Sequence, residues 1–119
     1  MIDEFDVLVL GGGLAGISAA LRATELGGKV CLIEKEALGA AGFQRRNALF
    51  LEAWGPILPS ISWDEYKQDF QLKKETYSRS MKDKLEEMGV TLVEGEGMLV
   101  SATEINVQKP DGEYFLLRG

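Results

Sequence analysis

Apolar residues fall along this chain in three textures. Val7-Leu-Val-Leu10 and Val30-Cys-Leu-Ile33 are unbroken apolar runs, the first closed by glycines and the second by an acid. Such runs predict short strands covered on both faces, as in the middle of a parallel sheet. The expected bounds are Asp6 to Leu10 and Lys29 to Glu34. Between them Ile17, Ala20, Leu21 and Thr24 recur at helical spacing, which predicts a helix from about Leu14 to Leu26. Gly27-Gly28 supplies its stop. Small residues crowd its first turns (Ala15, Gly16, Ser18, Ala19, Ala20), so it can lie close against a sheet.

The second texture is helical. Ala37 to Gly42 is rich in glycine and alanine and reads as a loop, followed by a short helix over Phe43 to Trp54. Gly55-Pro56 and Pro59 break the chain, and Ser62-Trp-Asp-Glu65 has the form of a capping box. The helix it opens carries Trp63, Tyr66, Phe70, Tyr77, Met81, Leu85 and Met88 as an apolar stripe, and Gly89 ends it. That stripe suits a core face or a subunit contact, and the Lys and Glu residues between suit a solvated face. Val90-Thr-Leu-Val93 predicts a third buried strand. The third texture follows it: short strands over Met98 to Ser101, Glu104 to Lys109 and Glu113 to Leu117, the last two joined by the turn Pro110-Asp-Gly112.

The expected fold class is therefore α/β: a parallel sheet of three strands with helices, plus a three-stranded antiparallel β-meander. It forms one domain over 1–119, with a helical excursion over 42–89 and the meander over 98–118. A chain of 119 residues has room for one such unit. Composition narrows what it does. A net charge of −6 offers no basic face to phosphates, so no nucleic-acid partner is expected. The chain has no histidine, which removes the commonest general base and metal ligand, and no metal site is expected. Its single cysteine, Cys31, sits in an apolar run and reads as a buried structural thiol, with no partner for a disulfide. No apolar run is long enough to span a membrane, and the N-terminus lacks a signal-peptide pattern, so a cytoplasmic location is expected.

The candidate chemistry lies where the first strand meets the first helix. Gly11-x-Gly13-x-x-Gly16 follows a strand, opens a helix, and precedes a second strand whose terminal Glu34 stands 18 residues beyond Gly16. That combination is the fingerprint of a βαβ unit that binds the ADP half of a dinucleotide. Gly11 allows the tight turn, Gly13 lets backbone N–H groups approach a pyrophosphate, and Gly16 allows close helix–strand contact. No Ser, Thr, Asp or Asn between Gly11 and Ile17 can cap the helix, so an anion is the natural cap. Gly12, Leu14 and Ala15 complete the loop. Glu34 can accept ribose hydroxyls and disfavours a 2′-phosphate. A phosphoryl-transfer loop is excluded, because Ile17 stands where its lysine belongs.

The fingerprint alone leaves FAD and NAD open. A long helical excursion followed by a meander is not the continuation of an ordinary NAD-binding fold. On Val9-Leu-Gly-Gly-Gly-Leu-Ala-Gly-Ile-Ser-Ala-Ala20, Leu32-Ile-Glu-Lys35, Leu38-Gly39 and Gly89-Val-Thr-Leu-Val-Glu-Gly-Glu-Gly97, the chain resembles the FAD-binding domain of the pyridine nucleotide-disulfide oxidoreductase family and its relatives. The resemblance implies a Rossmann-like FAD-binding domain in which Gly11, Gly13 and Gly16 face the pyrophosphate and Glu34 binds the ribose. It also implies that Lys35 lies beside the ribose or adenine, that backbone near Gly97 touches the adenine, and that the loop from Gly39 to Gly42 runs along the pyrophosphate and ribityl chain.

Two departures qualify it. The redox cysteine pair of the disulfide reductases is replaced by Gly42 and Asn47, so no flavin-to-disulfide relay is available. Arg45 and Arg46 stand in that stretch and either approach the flavin or remain solvated helix cations. Relative to the family the chain is also short, without the strand ending in Ala-Thr-Gly, the NAD(P) domain and the late flavin-binding Gly-Asp. The expectation is an FAD-binding portion of an oxidoreductase, NAD(P)H-linked and inactive alone, with no catalytic acid, base or nucleophile identified. An NAD-binding dehydrogenase fragment and a non-catalytic nucleotide-binding or assembly subunit are the alternatives. The partners expected are FAD, the remaining C-terminal portion or another subunit, and a second copy of the chain, through an unpaired sheet edge at the carboxyl end.

Overall fold

A computed structural model describes residues 2–36, Leu38 and residues 63–119. Three layers stack around one strand. That strand, β3 (Val30–Glu34), has β2 (Val7–Leu10) on one side and β4 (Thr91–Glu94) on the other, all parallel. Its apolar run is continuous because both faces are covered. Val30 and Leu32 face the helices α1 (Leu14–Glu25) and α2 (Trp63–Glu87), in a cluster with Val9, Ile17, Ala20, Leu38, Leu85 and Val90. Cys31 and Ile33 face the other way, into a cluster with Ile105, Val107 and Leu117. Each such fully buried Leu or Ile contributes about 1.5–3 kcal/mol. Cys31 is fully buried, as its apolar surroundings predict.

The second cluster belongs to the other sheet. Strands β5 (Glu96–Ser101), β6 (Glu104–Gln108) and β7 (Tyr114–Arg118) form the expected antiparallel meander. Its second turn closes through Gly112 N–H to Lys109 O at 2.9 Å and Glu113 N–H to Asp111 Oδ1 at 2.9 Å, which is why Pro-Asp-Gly stands there. The sheet has a fourth strand that the apolar pattern does not predict. Residues Ile2–Glu4 form β1, which pairs parallel to β7 with Ile2 opposite Leu116. The carboxyl-terminal strand is therefore flanked by β1 and β6 and is not the unpaired edge expected from the sequence. The edges of this sheet are β1 and β5.

β2 also departs from expectation. Its four apolar residues suggest an interior strand, yet it ends the order β2-β3-β4, and Val7 and Leu10 are 37% and 47% exposed. With a neighbour on one side only, just Val9 reaches full burial. Helix α2 lays its stripe on the helical side of the sheet at its C-terminal end. Leu85 is buried and Met81 half-buried against the core, while Leu72 points to solvent. No helix among the described residues is long and apolar enough to cross a membrane.

Candidate functional site

The C-terminal ends of β2, β3 and β4 converge on Glu34. Gly11 N–H donates to Ile33 O at 2.8 Å, carrying the β2–β3 ladder one step into the glycine turn. Gly95 N–H donates to Glu34 O at 3.0 Å and fixes the end of β4 beside it. The Glu34 carboxylate is itself engaged. Oε1 accepts from Lys35 N–H at 2.9 Å and Glu36 N–H at 3.1 Å, and Oε2 accepts from Gly12 N–H. Among described residues, no group of His, Cys, Asp and Glu could hold a metal ion.

The turn's glycines divide by what surrounds them. Gly11 has φ +105°, a conformation that glycine adopts without strain. A Cβ at Gly16 would lie 1.8 Å from Gly11 O, so the first turn of α1 touches the turn backbone directly. A Cβ at Gly12 would lie 2.6 Å from Leu38 Cδ2 and 3.0 Å from Glu34 Oε2. At Gly13 it would meet nothing within 4 Å, although the backbone there (φ −76°, ψ −175°) is one any residue adopts. No neighbour among the described residues and no backbone strain requires glycine at Gly13. What a side chain would fill is the space in front of the helix N-terminus.

No described residue caps that N-terminus with a side chain. Gly13 occupies the N-cap position with no side-chain hydrogen bond, and the first turn holds no acid. The N–H groups of Leu14, Ala15 and Gly16 open the helix, and the first intrahelical bond runs from Ile17 N–H to Gly13 O at 2.9 Å. Helix-start N–H groups beside an open space, with a carboxylate at the neighbouring strand end, suit a pyrophosphate and a ribose. The residues present fit the ADP half of a dinucleotide.

Residues 6–113 match the family model of the FAD dependent oxidoreductases. The chain belongs to that family. It is 31% identical to the leghemoglobin reductase of Glycine max over 98% of its own length, and 30% identical to the mitochondrial dihydrolipoyl dehydrogenase of Pisum sativum over 98%. It covers 26% and 27% of those proteins, so it spans about a quarter of the length of the curated relatives it matches. Among solved structures, the flavoprotein disulfide reductase RclA of Escherichia coli superposes with a TM-score of 0.73 at 15% identity, over 98% of this chain and 27% of that one. LpdA of Mycobacterium tuberculosis superposes with a TM-score of 0.69 at 22% identity, over 96% of this chain and 29% of that one. These likenesses show the Rossmann-like fold, and the family match decides between the two dinucleotides that the fingerprint leaves open, in favour of FAD.

The glycine turn and Glu34 come together at one end of the sheet, as the fingerprint implies. Lys35 follows Glu34 with an exposed side chain. Gly97 lies in β5, where an added Cβ would come within 2.5 Å of Leu10 Cδ1 and 3.1 Å of Ile105 Cγ2. It is thus a packing position between the two sheets, close to the end of β2. Gly42, Arg45 and Arg46 lie outside the described residues, as do the short helix expected over Phe43 to Trp54 and the Ser62 half of the capping box. The sequence reading missed why Gly12 is glycine. The signal for it was Leu38, an apolar residue in an otherwise small-residue loop, which turns inward over Gly12.

Proposed function

We propose that this chain is the part of an FAD-dependent oxidoreductase that grips the ADP half of FAD, with Gly11 to Gly16 receiving the pyrophosphate and Glu34 a ribose hydroxyl. The observation that carries this reading is that, among the described residues, nothing fills the space at Gly13 or caps the helix N-terminus behind it, and a carboxylate stands beside it. The flavin supplies the redox chemistry when bound, and the protein orients and tunes it. Lys35 and backbone near Gly97 flank the adenosine end. Electrons do not leave through a cysteine pair of this chain, whose single cysteine is buried.

Catalysis depends on a further portion of the protein or another subunit. The exposed Val7 and Leu10 on the edge strand β2 support this, because an apolar strand open on one side has room for another parallel neighbour. NAD(P)H as the electron donor, a cytoplasmic location, and a homodimer formed along an open sheet edge belong to the same reading. For the last of these, β1 and β5, and not β7, are the edges available in the four-stranded sheet.

The test is a visible spectrum of the purified chain followed by calorimetric titration with FAD, NADH and ADP-ribose. Yellow protein, or tighter binding of FAD than of NADH, is expected. Equal binding of all three reduces the site to an ADP site. Binding of none contradicts the reading.

A further inference from the structure

The hydrogen-bonding capacity of one carboxylate points to a task for Glu34 beyond touching the ribose. An ionised carboxylate offers about four acceptor positions on its two oxygens. In this structure Lys35 N–H and Glu36 N–H occupy Oε1, and Gly12 N–H occupies one position of Oε2. Counting the described residues, one position, on Oε2, is left for a ligand. An acid serving the ribose alone has no need to spend most of its capacity on its own backbone.

Two of those bonds are local and orient the side chain, since Lys35 and Glu36 follow it directly. The third reaches 22 residues back along the sequence. It holds the peptide between Gly11 and Gly12, one residue ahead of Gly13, the N-cap of helix α1. Leu38 packs beside Glu34 at the same residue, with its Cδ2 2.6 Å from where a Gly12 Cβ would lie. The same peptide carries Gly11 O, against which the first turn of α1 packs at Gly16, so holding it fixes where the helix N-terminus and its N–H groups stand.

Resting on the dinucleotide reading, we infer that Glu34 is a positioning residue for the glycine turn: its carboxylate straps Gly12 in place and so sets the phosphate-facing N–H groups before any ligand arrives. Glu34 then supports phosphate binding even for a ligand that lacks ribose hydroxyls. Glu34→Gln separates the two tasks. With its amide oxygen toward Lys35 and Glu36, the glutamine presents an NH2 group to Gly12 N–H, donor against donor, and the strap is lost.

The experiment uses the 119-residue chain and two probes, ADP and 2′,3′-dideoxy-ADP, titrated by calorimetry into the wild type and Glu34→Gln. Alongside, amide hydrogen exchange is read at Gly12 by NMR without ligand. A charge-assisted hydrogen bond lost from the turn corresponds to about a ten- to hundredfold change. Glu34→Gln should weaken dideoxy-ADP by at least about tenfold and ADP by more, and should speed exchange at Gly12 by about tenfold while Leu32 is unchanged. Dideoxy-ADP binding within about twofold of wild type overturns the strap and leaves Glu34 a ribose contact only. So does unchanged exchange at Gly12. If the wild type binds neither probe, the dinucleotide reading fails, and the exchange at Gly12 still decides the strap. If Glu34→Gln does not fold, the wild type decides alone: Gly12 must exchange more slowly than Gly13, and equal rates contradict the inference.

Discussion

At the end of β2 the turn leaves a void beside Gly13, where an added Cβ would meet nothing within 4 Å. In β5 of the other sheet, the same atom at Gly97 would lie 2.5 Å from Leu10 Cδ1. Both glycines stand near the C-terminal end of the parallel sheet; the fingerprint makes Gly13 a ligand-facing position, and the family resemblance alone does so for backbone near Gly97. Their surroundings separate them. Gly97 is small because two sheets meet across it. Gly13 is small with nothing among the described residues pressing on it, which is the condition a bound pyrophosphate would require.

Substitutions at three glycines sharpen that contrast. Gly16→Ala should have the largest effect on stability. Alanine gains about 1 kcal/mol in helix propensity, but its Cβ would overlap Gly11 O at 1.8 Å, and that neighbour is backbone that cannot swing away. A net loss of about 3 kcal/mol is expected in urea denaturation, together with loss of ADP binding as the turn shifts. Gly97→Ala should cost less, about 1–2 kcal/mol, because the atom it meets first is the flexible end of Leu10. A loss at Gly97 as large as that at Gly16 would mean the two sheets are locked more rigidly than this picture allows.

Arg118→Ala addresses the antiparallel sheet away from any glycine. Its guanidinium reaches Glu4 at 3.6 Å and Glu104 at 3.4 Å, bridging β1, β7 and β6 across a solvated face. Exposed pairs of this kind contribute at most about 0.5 kcal/mol and fade with salt. The urea midpoint should move little, and the difference should vanish at high ionic strength. A large, salt-independent loss would show that β1 depends on Arg118 for more than a surface ion pair.

How much of this was legible in the sequence depends on how local each cause is. The turn, α1 and β3 lie within one stretch of chain. There a glycine spacing, a helical period and an apolar run report directly on the backbone. The Pro110-Asp-Gly112 turn is equally local. β1 is not: Ile2–Glu4 carries one apolar residue in three and exists because Leu116 to Arg118 lie alongside it. β2 misleads for a related reason. Its apolar run is that of an interior strand, and only the strand order reveals an open edge. β5 begins at Glu96 rather than Met98, since an acid and a glycine read as loop until Gln108 and Val107 are seen opposite them. The clamp of Glu34 and Leu38 on Gly12 has no periodic signature, because it joins residues from separate turns through one backbone N–H and one methyl group.

The central claim is that the space at Gly13 belongs to a ligand. Gly13→Val tests it most directly, by ADP calorimetry paired with urea denaturation. Valine fits the extended backbone there, and its reduction of unfolded-state freedom offsets a weaker helix cap, so stability should change by no more than about 1 kcal/mol. ADP binding should disappear. A stable Gly13→Val protein that binds ADP as tightly as the wild type would contradict the account.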